Sequence, residues 1–166
     1  DPIYELVFPD AEERQRGLRA LFGAVLSYTH RYGQVDTTPE AVGAACWLTP
    51  GNTEVTIWRM FRTGFKLQRA VASFRAGDRK RLLAILAFAD EIHKRLLPGP
   101  LWLLWGLGVE PAHQGRGIGG ALLQPGLDAA DAGGVPCYLE TQTAANVAFY
   151  ERRGFAVAAG EVMPDK

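Results

Sequence analysis

Residues 109–123 read VEPAHQGRGIGGALL. Four glycines, Gly115, Gly117, Gly119 and Gly120, fall just ahead of an apolar helical pattern. That combination has a chemical use. The first turn of a helix leaves backbone N–H groups unpaired and carries the positive end of the helix dipole, and glycines let a phosphate come close to the backbone. Gln114 to Gly120 are therefore a candidate anion site. The alternative, a tight strand-to-helix turn with no ligand, has to explain why glycines sit where they weaken a helix start. Further on, Glu140 closes the apolar run PCYLE. An acid at a strand's carboxyl end could remove a proton or hold a cationic amine, or it could pair with an arginine. Asn146 and Tyr150 are four apart in NVAFY and share one helix face.

Two ligands compete for the loop. Gly115, Gly117 and Gly120 spell G-x-G-x-x-G, the dinucleotide fingerprint, and Glu140 lies 20 residues after Gly120, where a ribose-binding acid belongs. Gln114-x-x-Gly117-x-Gly119 is instead the pattern of a loop that holds the pyrophosphate of coenzyme A. The dinucleotide reading fails on spacing. Five residues, Glu110 to Gln114, separate Val109 from Gly115, whereas that fingerprint follows its strand at once. Only 26 residues follow Glu140, too few for the further βαβ units of a dinucleotide fold. A Walker-type loop also fails, because no Lys-Ser/Thr follows the glycines.

The elements that must position these residues alternate. AEERQRGLRALFGAVLSYTHRYG carries Leu18, Leu21, Phe22, Val25 and Leu26 at helical spacing, with acids leading and Gly33 as its stop. VGAACWLTPGN reads as a buried strand closed by a Pro-Gly-Asn turn. Residues 54–74 read as helix, broken at Gly64, and GDRKRLLAILAFADEIHKRLL as a further helix ended by Pro98-Gly99-Pro100. LWLLWGLGV is a strand and GIGGALLQPGLDAADAGG a helix with Pro125 inside it. VPCYLET is a strand, AANVAFYERRGF a short helix stopped by Gly154, and FAVAAGEVM the start of a last strand. The strand–helix–strand order makes LWLLWGLGV and VPCYLET parallel.

LGVEPAHQGRGIGGALL followed by YLETQTAANVAFYERRGF resembles the GNAT superfamily of acyl-coenzyme A N-acyltransferases, and within it the puromycin N-acetyltransferase-like branch. The resemblance covers about Leu101 to Phe155. It implies an α/β (α+β) GNAT fold, a mixed central β-sheet flanked by helices with a splayed parallel strand pair. It implies that Gln114, Gly115, Arg116, Gly117, Ile118, Gly119 and Gly120 hold the pyrophosphate of acetyl-CoA. Leu107 and Val109 would pair their backbone with the pantetheine arm as an added strand would, and Asn146 would contact that arm or an ordered water. Tyr150 would protonate the departing thiolate; its alternative is a core aromatic beside Phe149 and Phe155. Glu140 is the first candidate for the base, with Glu54 and Tyr138 behind it. The implied activity is acetyl transfer from acetyl-CoA to an amine of a small molecule; a non-catalytic coenzyme A-binding sensor is the alternative. The family's first strand would precede Asp1 and its final strand would follow EVMPDK, so residues 1–166 read as one N-acetyltransferase domain lacking both.

Composition bounds the partners. Apolar residues make up 48% and charged residues 22% of 166 residues, an ordinary globular balance. Eighteen basic residues cancel eighteen acidic ones, which argues against general nucleic-acid affinity. The longest apolar run, LWLLWGLGV, is too short to cross a bilayer, and no leader-like segment opens the sequence, so a cytoplasmic protein with no membrane partner is expected. The basic residues of the two middle helices read as a solvated face, with a membrane or other anionic partner as the alternative. Cys46 and Cys137 sit in apolar runs and are expected to be buried free thiols. No Cys or His spacing suggests a metal site, and His30, His93 and His113 read as surface or helix-face residues. Homodimer formation is left open.

Overall fold

The structure, a computed structural model, describes residues 2–160. Their contacts divide them into two units. One is built from Leu21–Gln68 and Pro100–Leu139, and the other from the remaining segments.

The first unit holds the sheet, whose strand order is β1-β2-β3-β4. These are β1 (Gly33–Thr37), β2 (Gly43–Leu48), β3 (Trp102–Val109) and β4 (Cys137–Tyr138). β1 and β2 pair antiparallel from Gly33↔Leu48 to Thr37↔Ala44. β2 and β3 also pair antiparallel, from Gly43↔Val109 to Leu48↔Leu103. β3 and β4 pair parallel, as the strand–helix–strand order requires. The helix between them is α6 (Ile118–Gly133), with Pro125 inside it. The sheet is therefore mixed and helix-flanked, in line with the expected α/β class.

β2 is the most buried strand because its run Ala45, Cys46, Trp47 and Leu48 is apolar on both faces. Trp47 is 0% exposed, and Gly126 of α6 lies against its indole. A Cβ at position 126 would overlap that ring, which has no room to move. Alanine in a helix interior gains about 1 kcal/mol over glycine, whereas overpacking a core costs about 1–3 kcal/mol. Gly126→Ala is thus expected to destabilise the fold despite its better helix propensity. Gly133→Ala, on the same helix with its nearest neighbour at an ordinary 3.7 Å, is the control and should not. Urea unfolding of the two variants checks this; equal midpoints would remove Gly126 from the packing argument.

Two expectations change here. Gly33 does follow the long helix α2 (Ala11–Tyr32), but it opens β1, a strand that the sequence pattern did not signal. Its Cβ position is filled by the backbone carbonyl of Trp47, so close strand approach, not only helix termination, calls for glycine there. VPCYLET contributes a strand of just two residues, Cys137 and Tyr138, because proline precedes it and pairing to β3 ends at Leu103↔Tyr138.

The middle segment is helical as read. α3 (Ile57–Arg62) is capped by Thr56, whose side chain accepts from Arg59 N–H. Gly64 (φ 66°) and Phe65 (φ 54°) then break it from α4 (Lys66–Ala72), at the predicted glycine.

The second unit contains α1 (Pro2–Val7), α5 (Ala76–Leu96) and α7 (Ala144–Glu151). Val7 and Phe8 are buried, and Phe8 meets Phe74 edge-on at 5.0 Å. The Arg81 guanidinium donates to the Val7 carbonyl at 3.1 and 3.2 Å and pairs with Asp78. α7 starts at Thr143, whose hydroxyl accepts from Asn146 N–H at 3.2 Å, and stops at Gly154 (φ 87°). Residues 155–160 form no strand, and the rest of the expected last strand lies outside the described residues. No helix among the described residues is long and apolar enough to cross a membrane.

Candidate functional site

The register of β3 decides which backbone groups a ligand can reach. Gly106 pairs with Cys46 but Leu104 pairs with Trp47, so Trp105 is one residue too many. Such a bulge flips the alternation of a strand. Before it, Trp102 N–H points to the β4 side, donating to the Pro136 carbonyl at 2.9 Å. After it, Glu110 N–H points to β2, donating to the Val42 carbonyl at 2.8 Å. Counting back by twos, Leu107 and Val109 turn their N–H groups away from β2. The parallel pairing to β4 stops at Leu103, so from Leu104 onward that side of β3 has no strand partner among the described residues. This is the splayed pair that the resemblance implies. Without the bulge, Gly106 and Gly108 would face the open edge instead. Sequence reasoning did not single out Trp105; the signal available was Gly106 inside an otherwise continuous strand pattern.

β3 ends at Val109, and Pro111, which cannot donate to a ladder, opens a single 3-10 turn, Pro111–His113. Gln114 folds back, its Nε2 donating to the Val109 carbonyl at 2.9 Å. The Val109 carbonyl is therefore occupied, which corrects the expectation that both of its backbone groups are open. Gly115 (φ 75°) and Gly117 (φ 80°) take left-handed conformations, and nothing lies within 4 Å of a Cβ built on either. Gly117 is the N-cap of α6, with no side-chain cap. The first backbone pairing at this end is Ala121 N–H to the Gly117 carbonyl at 3.1 Å. The N–H groups of Ile118, Gly119 and Gly120 are thus left at the positive end of a 16-residue helix. Arg116 is exposed in the same loop.

Leu107, Val109 and Gln114 to Gly120 all belong to the sheet-containing unit, where the open strand edge runs into the uncapped helix. Glu54 and Tyr138 are also there; Glu54 is exposed and Tyr138 buried. Glu140, Asn146 and Tyr150 belong to the second unit. Glu140 is exposed two residues past β4. Asn146 lies in the first turn of α7 and uses its N–H for the cap to Thr143. The Tyr150 ring meets Phe149 at 5.1 Å and Phe155 at 5.6 Å, both edge-on. Burial pushes the phenol's pKa up, against the opposing charge of Arg153, so it stays protonated through neutral pH.

The cysteines are free, as expected. Cys46 is buried, but Cys137 is only half-buried. Burial raises both thiols to about 11, with Asp36 and Asp131 adding to the rise. Neither is a thiolate at neutral pH, which argues against a cysteine nucleophile. His30 is exposed and His93 and His113 are half-buried.

A family profile described as Acetyltransferase (GNAT) family matches residues 4–155. An uncharacterized N-acetyltransferase of Schizosaccharomyces pombe is 31% identical over an alignment of 163 residues that covers 93% of this chain and 64% of the relative. The chain therefore spans less than two thirds of that relative's length.

Proposed function

Since the chain belongs to the GNAT acetyltransferase family, we propose that it is an N-acetyltransferase that moves an acetyl group from acetyl-CoA to an amine of a small molecule, acting in the cytoplasm. One observation carries the reading. An open strand edge with outward N–H groups at Leu107 and Val109 leads directly into the uncapped N-terminus of α6. An amide-bearing arm ending in a pyrophosphate matches that sequence of donors: strand-like pairing first, backbone N–H groups and a helix dipole next. At Gly115 and Gly117, both at positive φ, the space beside the backbone is open, which leaves room for phosphates to approach the N–H groups. The close agreement of LGVEPAHQGRGIGGALL and NVAFYERRGF with the puromycin N-acetyltransferase-like branch supports placing the chain there.

In this reading acetyl-CoA supplies an activated thioester. A Val109 N–H donates to the carbonyl oxygen as it gains charge. The amine nitrogen bonds to the carbonyl carbon, the carbon–sulfur bond breaks, and the Tyr150 phenol gives its proton to the sulfur. The phenol is later reprotonated by the proton that the amine gives up. Glu140 is the group we assign to take the first proton from the ammonium before attack, or to hold the ammonium there; the second proton, lost as the amide forms, is the one that returns to the phenol. The two roles separate kinetically. As a base, Glu140→Gln lowers kcat and moves the pH–rate profile; as an amine holder it raises KM. Wild-type kinetics in the variant would remove Glu140 from the site.

The proposal is tested by incubating the protein with acetyl-CoA and a panel of primary amines while following free thiol. Amine-dependent thiol release is the expected result. Thermal stabilisation by coenzyme A with no release for any amine would favour a sensor. Stabilisation by NAD but not by coenzyme A would overturn the ligand itself.

A further inference from the structure

The basic residues of the middle helices read in sequence as a solvated face, but the structure exposes their aromatics. Ile57 is 77% exposed, Trp58 64%, Phe61 62% and Phe65 37%. The rings are ordered against one another. Trp58 stacks on Phe61 at 5.8 Å and 21°, and Phe61 meets Phe65 edge-on at 6.2 Å. Phe65 holds φ 54°, a conformation that is uncommon for a bulky residue. Its N–H bonds to the Met60 carbonyl at 2.8 Å, which fixes the turn that brings the third ring beside the other two. Together these side chains expose on the order of 500 Å² of apolar surface, a patch of the size that marks an interaction surface.

The charges on this segment are of one sign. Residues 57–68, IWRMFRTGFKLQ, contain Arg59, Arg62 and Lys66 and no acid. Arg59 donates to the Gly51 and Glu54 carbonyls and Lys66 to the Ser27 hydroxyl, while Arg62 is exposed. A second copy of this chain is a poor occupant, because a two-fold contact would set these cations against their own counterparts. Aromatic and aliphatic side chains flanked by Arg and Lys are what an interfacial segment presents to anionic lipid. We propose that residues 57–68 are a docking surface for an anionic membrane, with Ile57, Trp58, Phe61 and Phe65 entering the headgroup region and the exposed Arg62 and Lys66 facing lipid phosphates and carboxylates.

The test is co-sedimentation of the full chain with phosphatidylcholine vesicles, alone or with about one third phosphatidylserine. Binding is expected to the mixed vesicles, to weaken with salt, and to be much weaker to phosphatidylcholine alone. The double variant Trp58→Ser, Phe61→Ser should lose at least about tenfold in partitioning, since burying one such side chain is worth that much. Both side chains are exposed, so its circular dichroism should match the parent. Arg62→Glu should weaken binding only to the anionic vesicles. Amine-dependent thiol release in solution should be unchanged in all three substitutions, which separates this proposal from the acetyl-transfer reading. No binding to anionic vesicles, equal binding to both compositions, or binding unaffected by the double variant overturns the proposal. So does a concentration-dependent dimer that Trp58→Ser abolishes, or loss of thiol release in the double variant.

Discussion

Tyr150→Phe is expected to lower turnover by roughly 10² to 10⁴ while leaving stability and acetyl-CoA affinity near those of the parent. The substitution keeps the ring between Phe149 and Phe155 and deletes one hydroxyl. It therefore removes a proton donor without opening a cavity. The raised pKa sets the pH side of the argument. A tyrosine ordinarily ionises at about pH 10; with that value raised, the phenol remains a donor across neutral and mildly alkaline pH. Loss of rate from its ionisation should therefore appear only above the ordinary tyrosine range. If Tyr150 is only a core aromatic, phenylalanine serves as well and turnover stays at the parental level. Stopped-flow thiol release with a working amine, beside a thermal melt, distinguishes the two.

The second large effect belongs to the loop. Gly117→Val is expected to weaken acetyl-CoA binding by at least about tenfold, or 1.4 kcal/mol. Gly117 sits at φ 80° with open space around it, so the penalty arises from the backbone and not from a clash within the protein. Valine disfavours that conformation by about 1–3 kcal/mol, and either it retains it and places a branched side chain where phosphate belongs, or the helix start rearranges and loses its convergent N–H groups. Gly134, the C-cap at the other end of α6, provides the control, with φ 60° and the same open surroundings. Gly134→Val should lose comparable stability and keep its affinity. Isothermal titration of both variants reads the difference. Equal loss of affinity would mean that helix stability, not loop shape, governs binding.

Much of the site was legible in the sequence because its signals are local. Glycines at 115, 117, 119 and 120 ahead of an apolar helix mark a helix N-terminus built for close approach, and only neighbouring residues are needed to see it. The same holds for the break at Gly64, the stop at Gly154 and the helical stripe of α2. Tertiary structure alone decided the rest, because it depends on register between distant segments. Whether Leu107 and Val109 or their neighbours face the open edge turns on one extra residue, Trp105, opposite a strand some 60 residues earlier in the chain. The length of the splay follows from how soon β4 stops pairing, which VPCYLET does not encode by itself. Gly33 looked like a helix stop because nothing nearby announces the Trp47 carbonyl that fills its Cβ position. The exposure of Trp58 and Phe61 was equally hidden. An aromatic at helical spacing reads as core until the fold determines which face has a partner, and burial is a property of the packed chain, not of the pattern.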